Sequence, residues 1–310
     1  MSDTDIPLSF TPPNAAKDIV HVYHAGSLIS LMGDIGPAFT AATGYPFKIY
    51  RGPSVGLANQ INSGEINPDV YMTADAETNY LLMGHEHGNH VQWFFIMARQ
   101  CMVLAYSPKS KFKAEFEAVD QKKWYEILES PGLLFGRSDP QTDPGGYRVV
   151  FVLQLAEKYY RVPGPKERIL QGDNSEQQIA LYDINKLKDG SVDAIITYST
   201  SVKDAGLPYL QFPDEVNQSN PDMKSIYASA SYTNPQGQTF HGTPALYGVT
   251  VPAAAKNPAG AAAFIQYLLS ESGRASLTKH GFLPAPVLLG GEQNADPASF
   301  RAHIAVPYTR

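Results

Sequence analysis

Glycine, twice together with serine, recurs at three points where a helix is expected to begin. Gly26 and Ser27 form the first point, Ser54 follows Gly52 at the second, and residues 143–146 read Asp-Pro-Gly-Gly at the third. The first N–H groups of a helix have no partner inside the helix and carry the positive end of its dipole. A serine hydroxyl adds a donor, and glycine lets a ligand approach the backbone closely. Each pattern alone is also ordinary helix capping, whereas the three together predict a site for one small anion.

The third point carries charge as well as turn residues. Residues 138–148 read Ser-Asp-Pro-Gln-Thr-Asp-Pro-Gly-Gly-Tyr-Arg. Gly145 and Gly146 would supply N–H donors at a helix start, and such donors favour an anion over a bare cation. Asp143 is a carboxylate that would repel the anion unless its charge is compensated. The stretch therefore predicts both a turn and part of a binding site.

The elements that position the first two turns alternate between strand and helix. Apolar, β-branched runs predict three strands, over residues 18–28, 46–52 and 69–75. Apolar residues at helical spacing predict a helix over 28–42 that Gly44 ends, and a second helix opens at Ser54 and ends at Gly64. This β-α-β-α-β order implies a parallel sheet covered by helices. The carboxyl ends of its strands are expected to form the ligand crevice.

A second set of elements indicates a second lobe. It comprises strands over 100–108 and 189–199, a basic and aromatic helix near 110–129, and a helix over 147–162. No Ser/Gly-rich linker divides the chain, so crossing strands near 102–108 and 245–252 are expected to join the lobes. We therefore predict an α/β protein with three segments: lobe I (first part) over 1–104, lobe II over approximately 105–213, and the return crossing with the remainder of lobe I over 214–310.

The composition of the chain limits the kinds of partner that it is expected to bind. The chain has 310 residues, a net charge of −6 and a single cysteine, so no internal disulfide is expected. An acidic chain offers no basic stripe for phosphates, and a nucleic-acid partner is not expected. No apolar run is long enough to predict a membrane span. The first ten residues lack the basic and apolar regions of a signal peptide, which leaves a cytoplasmic protein or a chain that begins after its signal sequence.

Seven segments, in chain order, resemble one family: VYHAGSL, GPSVGLANQI, DVYMTAD, SDPQTDPGGYR, FPDEVN, ALYGVTVP and FIQYLLSESGRASLTKHGF. They are similar to the tungstate/molybdate-binding proteins of ABC importers, the archaeal-type branch of the ModA-like periplasmic binding proteins. The resemblance implies a type II periplasmic-binding fold, in which two α/β lobes close over an oxyanion. It also implies an ABC importer permease as partner and a periplasmic or lipid-anchored protein whose signal sequence is absent from this chain. We expect a monomer without catalytic residues or cofactors.

The resemblance assigns roles to individual residues. Ser27 and Ser54 would donate to oxyanion oxygens from hydroxyl and backbone, and the Ala74 N–H would add a donor. Asp143 corresponds to a carboxylate that coordinates the metal at the centre of the oxyanion, and no other metal site is expected. The full set of expected ligand-binding residues is Gly26, Ser27, Ser54, Ala74, Asp143, Gly145, Gly146, Tyr147, Arg148, Thr197 and Tyr198.

One carboxylate of the family is missing. A glutamate on a late strand is replaced here by Thr197, whose hydroxyl is a poor metal ligand and can donate a hydrogen bond. Three arrangements stay open. An arginine (Arg148, Arg51 or Arg137) neutralises Asp143, or the ligand carries a proton that it donates to Asp143, or a tetrahedral dianion binds while Asp143 turns aside as a helix cap. Molybdate or tungstate is the first expectation, and sulfate, phosphate, arsenate or a small carboxylate is the alternative.

A serine hydrolase is the rival from another class. Residues 52–56 match the G-x-S-x-G nucleophile elbow in a strand-turn-helix context. Such an enzyme needs an acid and a histidine at later strand ends. His241, His280 and His303 are available, but none lies in a loop that an aspartate visibly supports. We therefore expect a binding protein rather than an enzyme.

Overall fold

The computed structural model describes residues 17–119, 123–171, 175–177, 183–292 and 306–307. Fourteen strands are present in these residues: β1 Val20–Ala25, β2 Phe47–Gly52, β3 Val70–Thr73, β4 Trp93–Gln100, β5 Met102–Tyr106, β6 Phe135–Arg137, β7 Ser175–Gln177, β8 Ala194–Tyr198, β9 Tyr209–Gln211, β10 Ser231–Thr233, β11 Thr239–His241, β12 Ala245–Thr250, β13 Leu288–Gly291 and β14 Val306–Pro307.

Twelve α-helices accompany the strands in the same described ranges: α1 Ile29–Thr43, α2 Ser54–Asn62, α3 Lys113–Ala118, α4 Trp124–Leu128, α5 Pro144–Tyr160, α6 Pro165–Gln171, α7 Asn185–Asp189, α8 Ser199–Ala205, α9 Asp214–Asn217, α10 Lys224–Tyr227, α11 Pro258–Leu269 and α12 Glu271–Lys279. Short 3-10 helices lie at Gly26–Leu28, Ala76–Leu82, His85–His87 and Pro221–Met223.

Seven of the described strands form a mixed sheet in the order β14-β13-β4-β12-β3-β1-β2. β1 pairs in parallel with both β2 and β3, which confirms the predicted β-α-β-α-β unit. α1 buries Leu31, Ile35 and Phe39, which recur along one face of the helix. It ends at Gly44, whose φ of 74° lies in the left-handed region that glycine adopts without strain. We call the part of the chain built on this sheet lobe I.

A second sheet has the order β7-β6-β8-β5-β9 among the described strands, and we call the part built on it lobe II. The chain crosses between the lobes at Cys101, because β4 ends in the first sheet and β5 begins in the second. The strand predicted over 100–108 therefore begins later than expected. The helix predicted near 110–129 is two helices, α3 and α4, and residues 120–122 lie outside the described part. The lobe boundaries given above stay a prediction.

The long helix of lobe II begins earlier than its sequence pattern indicates. We predicted a helix over 147–162, whereas α5 begins at Pro144. Asp143 is its N-cap, and Pro144 occupies the first turn, where a missing N–H costs nothing. The two glycines therefore lie inside the helix and not in a loop before it. This shift changes which of their N–H groups are available to a ligand.

The lobes contact each other at the carboxyl ends of their strands. The N–H of Gly56 in α2 donates to the carbonyl of Thr142 at 3.2 Å. The Tyr198 hydroxyl at the end of β8 donates to the carbonyl of Ala74, just past β3, at 3.3 Å. One hydrophobic cluster contains buried side chains of both lobes, including Tyr198 and Tyr247. The interior of the protein is thus continuous where the two sheets meet.

Candidate functional site

A small cavity of about 30 Å³ lies between the lobes at this junction. Its lining comes from the ends of strands in both sheets and from the helices that follow them. The lining residues are Ala25, Gly26, Ser27, Arg51, Pro53, Ala74, Ser138, Asp143, Gly145, Thr197, Tyr198 and Ser201. In this arrangement of the lobes, the volume matches a small ion better than a sugar or an amino acid.

Seven of the predicted site residues line this cavity: Gly26, Ser27, Ala74, Asp143, Gly145, Thr197 and Tyr198. Four do not, namely Ser54, Gly146, Tyr147 and Arg148. The prediction also left out Ser138 and Ser201, which bring hydroxyl groups, and it named Arg51 only as a possible counter-charge. Ser138 begins the stretch over residues 138–148 that predicts a turn and part of a site. Ser201 belongs to no motif, and no sequence signal marked it.

Gly26 and Ser27 form the turn that closes the lobe I side of the cavity. They begin the 3-10 helix Gly26–Leu28 directly after β1. A side-chain carbon added at Gly26 would meet no protein atom within 4 Å, because the space beside this residue is open. The Ser27 hydroxyl shares a hydrogen bond of 2.8 Å with the hydroxyl of buried Tyr247. The turn therefore presents backbone and one anchored hydroxyl to the cavity.

Ser54 lies behind the cavity wall. Its side chain is fully buried, and its Oγ accepts the N–H of Ala74 at 3.1 Å. The Ser54 hydroxyl and the Ala74 N–H are both expected to donate to the ligand, but they are hydrogen-bonded to each other. The carbonyl of Ser54 also accepts the hydroxyl of Tyr71. These bonds fix the turn after β3 against the start of α2, so Ser54 shapes the cavity through Ala74.

The Asp143 turn is held by its own helix cap. One carboxylate oxygen of Asp143 accepts the Gly145 N–H at 2.9 Å, and its carbonyl accepts the Gly146 N–H at 2.9 Å. Both N–H groups that the sequence offered to an anion therefore have partners in the protein. Gly146 has a packing role, because a side-chain carbon there would lie 2.5 Å from backbone atoms of residues 138–140.

The environment of Asp143 shifts the pKa of its carboxyl group upward. Burial raises the pKa of this carboxyl, and neighbouring Asp139 raises it further, against hydrogen bonds from Gly145 N–H and Ser138 that lower it. Loss of hydration penalises the charged form of a carboxyl group. Among the pocket-lining residues Arg51 is the cation, and its side chain is exposed at the edge of the cavity. Asp143 therefore faces the cavity without an arginine bonded to it in the described residues.

Tyr147 and Arg148 are directed away from the cavity. Both side chains are fully buried. The Tyr147 hydroxyl donates to Asp75 Oδ2 at 2.8 Å, and Arg148 Nη2 lies 3.0 Å from the same oxygen. The prediction placed these residues in the site because they follow the Asp143 turn in sequence. Because the helix begins at Pro144, they lie on its buried face instead.

Thr197 and Tyr198 bring the end of β8 to the cavity from lobe II. Thr197 is 5% exposed, and its hydroxyl is neutral and able to donate or accept. Burial raises the pKa of Tyr198 well above its usual range, so the phenol keeps the proton that it donates to Ala74. Five of the lining residues thus carry neutral hydroxyl groups, namely Ser27, Ser138, Thr197, Tyr198 and Ser201. Such a lining suits a small polar or anionic solute.

Comparison with known proteins decides the family. The sequence pattern described as bacterial extracellular solute-binding protein matches residues 20–283. This chain belongs to that family. A solute-binding protein of Petrotoga mobilis is 31% identical over 287 residues, covering 86% of this chain and 84% of the relative. The molybdate/tungstate-binding protein WtpA of Thermococcus kodakarensis is 29% identical over 300 residues, covering 87% and 83%.

Solved structures agree on the architecture of this solute-binding protein. The periplasmic molybdate-binding protein of Azotobacter vinelandii superposes with a TM-score of 0.64 at 15% identity, covering 86% of this chain and 99% of that one. At this identity the likeness concerns the fold alone. It confirms the predicted type II periplasmic-binding fold, with two α/β lobes and a cleft between them. The cavity described above lies in that cleft.

The hydrolase alternative finds no support in the geometry of the solute-binding protein. Ser54 is buried, its Oγ accepts the N–H of Ala74, and its carbonyl accepts the hydroxyl of Tyr71. Neither His241 nor His280 lines the cavity, and His303 lies outside the described residues.

In the described ranges no cluster of three or more His, Cys, Asp or Glu could hold a metal ion. No helix in these ranges has the length and apolar character to cross a membrane.

Proposed function

We propose that this solute-binding protein captures a tetrahedral oxyanion in the cleft, molybdate or tungstate first, and delivers it to an ABC importer. The observation that carries the proposal is the cavity, which measures about 30 Å³ and is lined by hydroxyl groups from both lobes. Hydrogen bonds from neutral donors strengthen in a closed, dry cleft. The molybdate/tungstate-binding relative, 29% identical over 300 residues, supports the choice of anion.

We assign the direct contacts to the residues that line the cavity. Ser27, Thr197 and Ser201 would donate their hydroxyl protons to oxyanion oxygens, while Gly26 leaves room beside its backbone. Arg51 would offset the charge of the anion from the edge of the cavity. Ser54, Gly146, Tyr147 and Arg148 would act by holding the walls in place. This assignment keeps most of the predicted site and moves four residues to a supporting role.

A thermal-shift screen tests the proposal. A ligand that binds the folded state at 100 times its Kd stabilises a protein by about 2.7 kcal/mol, so molybdate or tungstate should raise the Tm. Sulfate, phosphate, arsenate and small carboxylates complete the panel because Thr197 replaces the glutamate of the resembling family. Calorimetry should then give one binding site per chain for any anion that shifts the Tm. The proposal fails if none of these anions changes the melting curve.

The role of Asp143 separates the candidate anions. In Asp143→Asn the group can no longer take a proton from the ligand or coordinate its metal. Binding of hydrogen phosphate or arsenate, or of a metal-coordinated oxyanion, should therefore weaken by tenfold or more, about 1.4 kcal/mol. A plain tetrahedral dianion should bind as well or better, because a repelling charge is removed. Titration calorimetry of wild type and variant with molybdate, sulfate and phosphate distinguishes the two modes.

We further infer a monomer that works outside the cytoplasm, either free in the periplasm or lipid-anchored. The family description as extracellular solute-binding protein supports this location. The permease of an ABC importer would receive the oxyanion from the closed cleft. We expect the first part of lobe I to end at the crossing at Cys101, close to the predicted boundary at residue 104. Lobe II should extend to approximately residue 213, and residues 214–310 should hold the return crossing and the remainder of lobe I. Limited proteolysis with and without the bound oxyanion tests these boundaries, since closure should protect the crossings at their ends.

A further inference from the structure

A buried ion pair joins the two lobes beside the cavity. Asp75 follows β3 in lobe I, and its side chain is 2% exposed. Arg148 lies in α5 of lobe II and is fully buried. Asp75 Oδ2 lies 3.0 Å from Arg148 Nη2 and accepts the Tyr147 hydroxyl at 2.8 Å. The other oxygen of Asp75 accepts the Glu77 N–H within lobe I at 3.1 Å.

Arg148 is anchored independently of Asp75. Its Nη1 donates to Gln218 and to the carbonyl of Thr243, each at 2.8 Å. Its Nη2 donates to the carbonyl of Pro244 at 3.2 Å, just before β12 begins. These partners belong to the segment by which the chain returns to lobe I. The guanidinium therefore stays desolvated at the return crossing, and Asp75 supplies its counter-charge from the opposite lobe.

The pair is also coupled to the wall of the cavity. Asp75 directly follows Ala74, whose N–H is held by Ser54 in lobe I and whose carbonyl accepts Tyr198 of lobe II. A rotation that separates the lobes would break the Tyr198, Tyr147 and Arg148 contacts to residues 74–75 together. It would leave a buried cation without its counter-charge, which is a costly arrangement in a protein interior. The pair thus favours the closed arrangement without lining the cavity.

We propose that Asp75 and Arg148, with Tyr147, form an interlobe latch. The latch sets the closed fraction of the ligand-free protein and thereby the affinity for every solute that the cleft accepts. When the binding-competent conformation is partly populated, the apparent Kd equals the intrinsic Kd divided by that fraction. Loss of the latch therefore weakens all bound anions by one common factor. The affinity part of this inference rests on the proposed function, whereas the effect on lobe closure does not.

Asp75→Asn tests the latch, and Asp69→Asn is its matched control. Asp69 lies just before β3 and is also 2% exposed, but it accepts the N–H groups of His21 and Asn257, both in lobe I. The two variants remove the same charge from the same strand region. Tyr147→Phe is a milder second variant that removes a single hydrogen bond to Asp75 and leaves both charges in place. Small-angle scattering without ligand measures closure, and calorimetry with molybdate, tungstate and sulfate measures affinity.

Asp75→Asn should increase the radius of gyration of the ligand-free protein, and Asp69→Asn should leave it at the wild-type value. The Kd of each anion that binds should rise by about tenfold to hundredfold in Asp75→Asn, with the ratios between anions unchanged. Tyr147→Phe should shift both readouts in the same direction by less. The latch is refuted if Asp75→Asn matches Asp69→Asn in scattering, or if the anions lose affinity unequally. If wild type binds no anion, the proposed function fails and scattering alone decides the latch.

Discussion

At Gly26, ligand binding in the cavity can be tested separately from the stability of the fold. No protein atom lies within 4 Å of the position that a side-chain carbon would take there. Gly26→Ala should therefore leave the Tm of the ligand-free protein unchanged. The added methyl group would occupy space that we assign to the oxyanion. Crowding a well-fitted site costs about 1 to 3 kcal/mol, so calorimetry should show molybdate binding roughly tenfold to hundredfold weaker. Unchanged affinity would place the anion elsewhere.

His24 makes the stability of the protein depend on pH. Its side chain is fully buried, and Nδ1 donates to the carbonyl of Ala25. Burial lowers the pKa of His24 from 6.5 to about 4, with nearby Arg51 acting in the same direction. The folded protein therefore keeps this imidazole neutral, while the unfolded chain takes up a proton below pH 6.5. Stability is complete above the unfolded pKa and is lost as the pH falls through the folded pKa.

Urea unfolding at two pH values measures this effect. Between pH 7 and pH 5 the His24 contribution to the free energy of unfolding should fall by about 2 kcal/mol, since one pKa unit corresponds to 1.36 kcal/mol. His24→Gln should lose that much less stability over the same interval. His87→Gln, in an exposed turn, is the control and should behave as wild type. An equal pH dependence in wild type and His24→Gln would show that His24 is not held neutral.

At the scale of elements, the contact between α5 and the 138–140 turn positions one wall of the site. Gly146 allows this contact, because its backbone packs against that of the turn. Gly146→Ala should destabilise the fold by about 1 to 3 kcal/mol through overpacking. It should also weaken oxyanion binding, since the displaced turn carries Ser138. Thermal unfolding and calorimetry measure the two effects.

Gly33→Ala is the control for Gly146→Ala. Gly33 lies between the ends of α1 on the exposed side of the helix, with no protein atom within 4 Å of an added side-chain carbon. The same substitution there should stabilise the protein by about 0.5 to 1 kcal/mol, because alanine loses less backbone entropy in a helix. The packing role of Gly146 is contradicted if both alanine substitutions change the free energy of unfolding in the same direction.

Local sequence patterns predict the helices and strands of lobe I well. They do not predict which side chains of α5 face the cavity. Apolar spacing and the glycine at residue 44 mark α1 and its end because both signals lie in the helix itself or directly after it. The partner of Arg148 is Asp75, a residue 73 positions earlier in another lobe. No short-range signal indicates such a contact, so Tyr147 and Arg148 were assigned to the cavity by their neighbours in sequence. The crossing predicted near 102–108 lies directly before that strand, at Cys101.

At the scale of the whole molecule, two lobes enclose a cavity that is smaller than most ligand sites. Pockets for organic ligands measure about 300 Å³ or more, whereas this cavity measures about 30 Å³. The Tyr198–Ala74 and Arg148–Asp75 contacts join the two lobes beside this cavity. Closure and small size together explain how neutral hydroxyl groups could bind an anion in an acidic protein. The sequence predicted the cleft through its family resemblance, and the latch emerged from the three-dimensional structure.

The central claim is that the oxyanion occupies this cavity, and anomalous diffraction from tungsten tests it most directly. Crystals grown with one equivalent of tungstate per chain should give a single anomalous peak in the space bounded by Gly26, Ser27 and Thr197. The tungsten atom would then be enclosed by both lobes, within reach of Ser201 and beside Asp143. The absence of tungsten from that space, or a peak confined to the molecular surface, would contradict the account.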